Sequence, residues 1–301
     1  MKFCKILYNL RDFFLIIFIA TIIISCTCKR NYIIYYNRVY EIGSLYSVEK
    51  DTLKALRKSR KLFRRYEPKN QERVDEFEKF ITLSDKQHKN FGGKKSLYKL
   101  IPLVAPYWKY WKQETDLFKL YRKYGIDSLE AEQKVSDWKK SLNRQLVDSF
   151  SIAFIRDQQN RQHDSLRSKR KGDDEKNTEL LMWTFKNYGY PSMQKIGLYG
   201  NKEVFMPMGL LLNHMAESKQ YDYFKIKLLD YIKSGELPPI DYMEMVDKHN
   251  WLFNKENEYG LFSHHYNVLD TAKINLNRKL IGFDGLKNRG KMIREDKKKE
   301  R

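Results

Sequence analysis

Leu45-Tyr46-Ser47-Val48-Glu49-Lys50-Asp51-Thr52-Leu53-Lys54-Ala55-Leu56-Arg57-Lys58-Ser59-Arg60-Lys61-Leu62-Phe63-Arg64-Arg65-Tyr66 carries apolar side chains at 45, 48, 55, 56, 62, 63 and 66. Basic ones stand at 50, 54, 57, 58, 61, 64 and 65. Most of these spacings group the apolar set on one helical face and the cations on the other. The stretch therefore predicts a basic amphipathic helix over 45–66. Such a helix could lie on anionic lipid. However, Glu72, Asp75, Glu76 and Glu78 follow Pro68, and an antiparallel hairpin pairing those acids with the basic face is the stronger expectation.

The same period continues outward from this stretch. Phe91-Gly92-Gly93, Pro102 and Pro106 mark a loop, and Pro106 opens a helix that stops at Gly125. Its Tyr107, Trp108, Tyr110 and Trp111 read as a packed face. Asp127-Ser128 with Glu130 caps a helix running to about Gln162. The charged run Arg167–Gly172 interrupts the pattern, and Asp173 or Asp174 caps the next helix, which ends at Gly189. Further helices are predicted at 202–217 (kinked by Pro207), 220–233, 239–254 and 270–281. Strand-type alternation is nowhere sustained. The fold class is mainly α: a multi-helix, bundle-like domain at 141–290, a helical region at 45–140 before it, and a basic tail at 291–301.

The N-terminal 25 residues have a different character. Lys2, Lys5 and Arg11 precede an apolar run, Phe13–Ile24, too short for a bilayer span of roughly 20 residues. Ile23-Ile24-Ser25-Cys26 resembles the lipobox read by lipoprotein signal peptidase. That resemblance implies cleavage before Cys26, a diacylglycerol on its sulfur and a third acyl chain, such as palmitate, on its amine. Several chains hold a protein firmly where one does not. An uncleaved signal anchor flanked by Lys29 and Arg30 is the alternative. Residues 26–44 are then an anchor and tether, and the protein faces the extracytoplasmic, preferentially periplasmic, side of the cell or outer membrane. Cys28 alone remains, giving no internal disulfide and no cysteine zinc site.

The net charge is +20, of which the first 25 residues contribute +2. A basic balance points toward polyanions, but the abundance of Lys, Asn, Ile and Tyr is also what an AT-rich genome produces. No nucleic-acid motif is present, and an exported chain rarely meets nucleic acid.

The punctuation of 145–290 is more specific. It runs Ile155-Arg156-Asp157-Gln158-x-x-Arg161, Asp173 or Asp174, Asn177, Gly189-Tyr190-Pro191, Gly197, Asn213-His214-Met215, Gly235-Glu236, Asp247-Lys248, Tyr259-Gly260, Asn275-x-x-Arg278 and Gly282. In order and spacing it resembles the bacterial family designated domain of unknown function 6624, across about half the mature chain. Departures from the family pattern are Asn213 for Gln, Lys248 for Arg, and Leu261-Phe262 for Thr-Gln. Lys248 trades a bidentate fork for a point charge. The family has no established reaction.

Asp157, Arg161, Asn177, His214, Asp247, Tyr259 and Arg278 are the candidate site residues. Asp157 and Arg161, one turn apart, can pair with each other or reach a shared pocket. Helices at 202–217 and 239–254 could bring His214 and Asp247 together as a general base and its orienting carboxylate, with Arg161 or Arg278 holding an anion. The competing expectation, and the stronger one, is that these groups fix helix packing. His214 with Glu217, His249 and His264-His265 could suggest a metal, yet His-Glu-x-x-His is absent and no metal or cofactor is expected. Gly-x-Ser-x-Gly is absent too. The expected role is therefore a binding or structural envelope lipoprotein, held by membrane lipid through Cys26, with a protein or cell-wall partner. The alternatives are an envelope-acting hydrolase and polyanion adhesion.

Overall fold

The structure, a computed structural model, describes residues 30–290 apart from 70, 112–114, 160, 162–166, 266–268 and 289. Cys26, the signal segment and the basic tail lie outside the described residues. The chain is mainly α, and among the described residues the only β-type pairing is an isolated bridge between Tyr199 and Phe205.

The opening stretch forms two helices rather than one. α1 covers Tyr32–Ser47 and α2 covers Thr52–Arg65. Lys50 between them adopts a left-handed backbone, and the Asp51 carboxylate accepts the Lys54 N–H at 2.9 Å. An aspartate able to cap a new first turn ends the old helix more cheaply than continuing it. α1 also corrects the expected tether at 26–44: its Tyr35 and Tyr36 are fully buried, so residues 32–44 belong to the core. α3 (Gln71–Lys86) folds back on α2. Apolar rings close this hairpin, with Phe63 centred 5.0 Å from Phe77 and 5.5 Å from Phe80. Two α2 lysines turn elsewhere, Lys54 to Glu49 and Lys58 to Glu41.

α4 (Gly93–Val104) runs through Pro102, where a loop was expected. Pro106 opens a single 3₁₀ turn, followed by the short helix Trp108–Trp111 and α5 (Thr115–Lys123). Trp108 packs edge-on against Phe118, whereas Tyr110 is exposed and its hydroxyl meets that of Tyr199 at 2.8 Å. The helix expected over 127–162 divides into α6 (Ser128–Ser141) and α7 (Arg144–Gln159). Asn143 causes the break: its side chain caps the Leu146 N–H, and its own N–H is taken by the Lys195 carbonyl. α8 (Arg167–Asn187) starts before the expected caps and passes through Gly172, leaving Asp173 and Asp174 inside the helix. The predicted helix at 202–217 shrinks to α9 (Met208–His214) plus a 3₁₀ turn to Glu217. Pro207 precedes α9 in extended geometry and does not kink it. α10 (Tyr221–Ser234), α11 (Pro239–Leu252) and α12 (Thr271–Leu280) match their expected positions closely.

From Tyr32 onward the described residues pack as one unit, on both sides of 140/141. α1 is the reason. It lies on α2 and α10; its Tyr36 hydroxyl donates to the Leu237 carbonyl at 3.0 Å, and Asn37 donates to the Lys279 carbonyl at 3.0 Å. A Cβ on Gly282 (φ +84°) would stand 2.8 Å from Tyr36 Cβ and 3.1 Å from the Ile33 carbonyl oxygen.

These contacts predict opposite outcomes at two glycines. Gly282→Ala, strained in φ and blocked by backbone, should cost about 1–3 kcal/mol. Gly172→Ala, helical with nothing within 4 Å, should stabilise by about 0.5–1 kcal/mol. Urea unfolding of the two variants measures both; equal midpoints would contradict the packing described.

Candidate functional site

α7 and α8 pack side by side, and α9 packs on α11. Where these pairs meet, Asp157 of α7 and Arg161, two residues beyond its end, face Asp174 of α8 and His214 at the end of α9. The Asp157–Arg161 pair forms as the one-turn spacing predicts: Arg161 Nη2 lies 2.6 Å from Asp157 Oδ1, and Nε lies 3.2 Å from Oδ2. The same Nη2 lies 2.5 Å from Asp174 Oδ1 and 2.7 Å from His214 Nδ1. His214 Nδ1 is 2.8 Å from Asp157 Oδ1.

The protons follow from these distances. Arg161 Nη2 has two hydrogens, which go to the two carboxylates. An ionised oxygen 2.8 Å from an imidazole nitrogen calls for a proton between them, so the network assigns Nδ1–H to His214. In the neutral ring this tautomer leaves the lone pair on Nε2, which has no hydrogen-bond partner among the described residues. The Asp157 side chain is fully buried, which alone would raise its pKa, but hydrogen bonds from His214 and Arg161 outweigh burial and bring it down to about 2. Burial pushes the Asp174 carboxyl up, with the Arg161 charge pulling against it. At the edge of the cluster, Lys248 Nζ is 3.6 Å from Glu217 Oε1. Burial lowers its pKa, and the charges of Arg161 and Asp174 reach it.

Asp157, Asp174 and His214 offer three ligand atoms within 4.8 Å of one another. Arg161 Nη2 touches all three, so a guanidinium nitrogen occupies the seat a metal ion would take. His249, His264 and His265 do not join His214 in this cluster. His249 is stacked on Tyr221 at 3.5 Å, with Nδ1 on the Ala216 carbonyl and Nε2 against Lys255 Nζ. His264 and His265 sit in a 3₁₀ turn, where His265 stacks on Trp251.

The remaining candidates separate. Asp247 does not meet His214. Its Oδ1 accepts the N–H groups of Glu258 (3.1 Å) and Tyr259 (2.9 Å), and Oδ2 accepts that of Leu261 (2.8 Å). Arg278 binds the other side of that loop, donating to the carbonyls of Tyr259 (2.6 Å) and Asp284 (3.1 Å) and lying over the Phe283 ring. Asp247, Tyr259 and Arg278 thus form a backbone clamp. Asn177 is buried on α8, where its Oδ1 receives Arg156 Nε and Nη2 at 3.1 and 2.5 Å. The carboxylate that orients His214 is Asp157 and not Asp247, which is a correction to the expected pairing. Asp174 stands inside α8 and not at its cap, which frees its carboxylate for the bridge to Arg161.

Compared with family models, curated proteins and solved structures, the chain has no match.

Two outcomes follow. A depressed carboxylate pKa stabilises the fold above the unfolded value near 3.8, and that stability is lost as pH falls through about 2. The contribution is about 2 kcal/mol, so the gap in unfolding free energy between wild type and Asp157→Asn should close from pH 5 to pH 2. A gap independent of pH would contradict the assignment. Secondly, Arg161→Ala vacates the cation seat, so zinc should raise the thermal midpoint of that variant and leave wild type unmoved. No zinc effect on the variant would refute the seat geometry.

Proposed function

We propose that this chain is a lipid-anchored extracytoplasmic protein whose helical body works by binding, with an envelope protein or cell-wall component as partner. The anchor half of the proposal is supported by Ile23-Ile24-Ser25-Cys26 behind a short apolar run. Among the described residues no helix is long and apolar enough to cross a membrane. From Cys26 to Tyr32 an extended chain reaches about 20 Å, which would hold the body close to the bilayer.

The binding half is carried by one observation: the candidate site residues are bonded to one another, to backbone or to a neighbouring side chain, and none of them lines either of two cavities. Asp157, Arg161, Asp174 and His214 bond among themselves, and Asp247 is saturated by three N–H groups. Two cavities of about 650 Å³ each, of ligand-binding size, are lined by other side chains. The resemblance of 145–290 to domain of unknown function 6624 is compatible with this reading and supplies no reaction.

One observation favours a hydrolase instead: His214 Nε2 lacks a partner while Asp157 holds Nδ1, the arrangement of a general base. In that form Asp157 replaces Asp247. Turnover of envelope polymer that disappears in His214→Gln would establish it over the binding reading.

The anchor is tested by fractionation. With globomycin, which blocks lipoprotein signal peptidase, a longer precursor should accumulate. Cys26→Ala should leave the membrane fraction or stay unprocessed; normal processing and membrane retention of that variant would refute the anchor.

A further inference from the structure

The cavity between α2, α3 and α4 has a lining that the preceding reading does not use. Phe63, Phe77, Phe80 and Phe91 give it an aromatic wall. Arg60, Arg64, Lys95 and Lys99 line the same space, with Glu67 the one acid among its described lining residues. These cations differ in their commitments. Arg60 donates to the Asn90 carbonyl at 2.6 Å, and Lys99 lies 3.3 Å from Glu67 Oε1. Arg64 and Lys95 have no acceptor among the described residues. Lys94, one residue along, is paired with Glu130 and the Gly125 carbonyl.

Charge and wall together restrict what fits. A cation would meet the uncompensated field of Arg64 and Lys95. A neutral apolar molecule would use the phenyl wall and leave those two exposed charges without an acceptor. A polyanion would leave the phenyl wall unused, although burying apolar surface against it is the larger source of affinity. With Lys99 facing Glu67 and Arg60 held by the Asn90 carbonyl, Arg64 and Lys95 are left to share one acid group.

We propose that this cavity binds a single-headed anionic amphiphile, its apolar body on the phenyl wall and its carboxylate or phosphate at Arg64 and Lys95. The assignment rests on the binding reading above and names the ligand class at one of its two cavities. The chemistry, an acid head on an apolar body, is shared by a free one-chain acid and an anionic bilayer lipid.

The test uses the full chain in phosphatidylcholine nanodiscs, titrated calorimetrically with octanoate against empty discs. Octanoate should saturate, with octanol and octylammonium each weaker by about tenfold or more. The double variant Arg64→Glu/Lys95→Glu changes two exposed side chains, so its far-UV spectrum should be retained while octanoate affinity falls about tenfold or more. No octanoate binding, equal binding of octanol, or unchanged affinity in a folded double variant would each overturn the proposal. Phosphatidylglycerol discs separate the sources. Octanoate binding that persists there supports a free acid; binding lost there but regained in phosphatidylcholine supports the bilayer lipid. Failure of the anchor would register in fractionation of Cys26→Ala and not in this titration.

Discussion

The tyrosine face of α1 is seated where the C-terminal half leaves no room for side chains. Gly235 and Gly282 both hold positive φ, and a Cβ on either would strike α1, at the Tyr32 ring and at Tyr36 with the Ile33 backbone. Only glycine meets both demands, the left-handed backbone and the close approach. The Tyr36 hydroxyl is buried against the Leu237 carbonyl, and the Tyr40 ring packs on Phe283. One helix from the start of the described chain thereby ties α2 to α10 and to the turn after α12. Without it the two ends would share much less of a core.

The buried charges act as fasteners of the same kind. Asp157, Arg161 and Asp174 join α7 to α8, and His214 adds the end of α9. Withdrawing such charges from water is costly, and a buried pair repays that only when its remaining lone pairs and protons are bonded. Asp157 meets this condition, because both of its oxygens receive hydrogen bonds. Arg161 completes it by filling the centre of a three-ligand cluster with a guanidinium nitrogen. Asp247 solves a different problem with the same chemistry, holding three loop N–H groups that no helix or strand could satisfy.

Helix content was legible because 3.6-residue periodicity and stop signals such as Gly125, Gly189 and Gly235 act locally. Breaks made by a single polar side chain were not. Asp51 and Asn143 are unremarkable inside an amphipathic pattern, yet the side chain of each accepts an N–H in the first turn of a new helix. Gly172 and Asp174 misled in the other direction: tertiary contact carries α8 through a glycine that costs about 1 kcal/mol in isolation. Of the site residues, only Asp157 with Arg161 followed from spacing. His214 found Asp157 and not Asp247 because the two helices involved pack through faces that turn Asp247 toward the 258–261 loop, a matter of rotation that spacing does not encode. The tyrosines of α1 gave little warning of a core helix, since Tyr suits a surface tether as readily as a buried face.

The account depends most on α1 belonging to the fold and not to a tether. Amide hydrogen exchange on the full chain measures this directly. Buried amides of 35–46 should exchange only through the global opening that also exposes 224–232 in α10, with matching free energies. Exchange of 35–46 that is orders of magnitude faster than that of 224–232 would show a segment that opens alone, and would contradict the account.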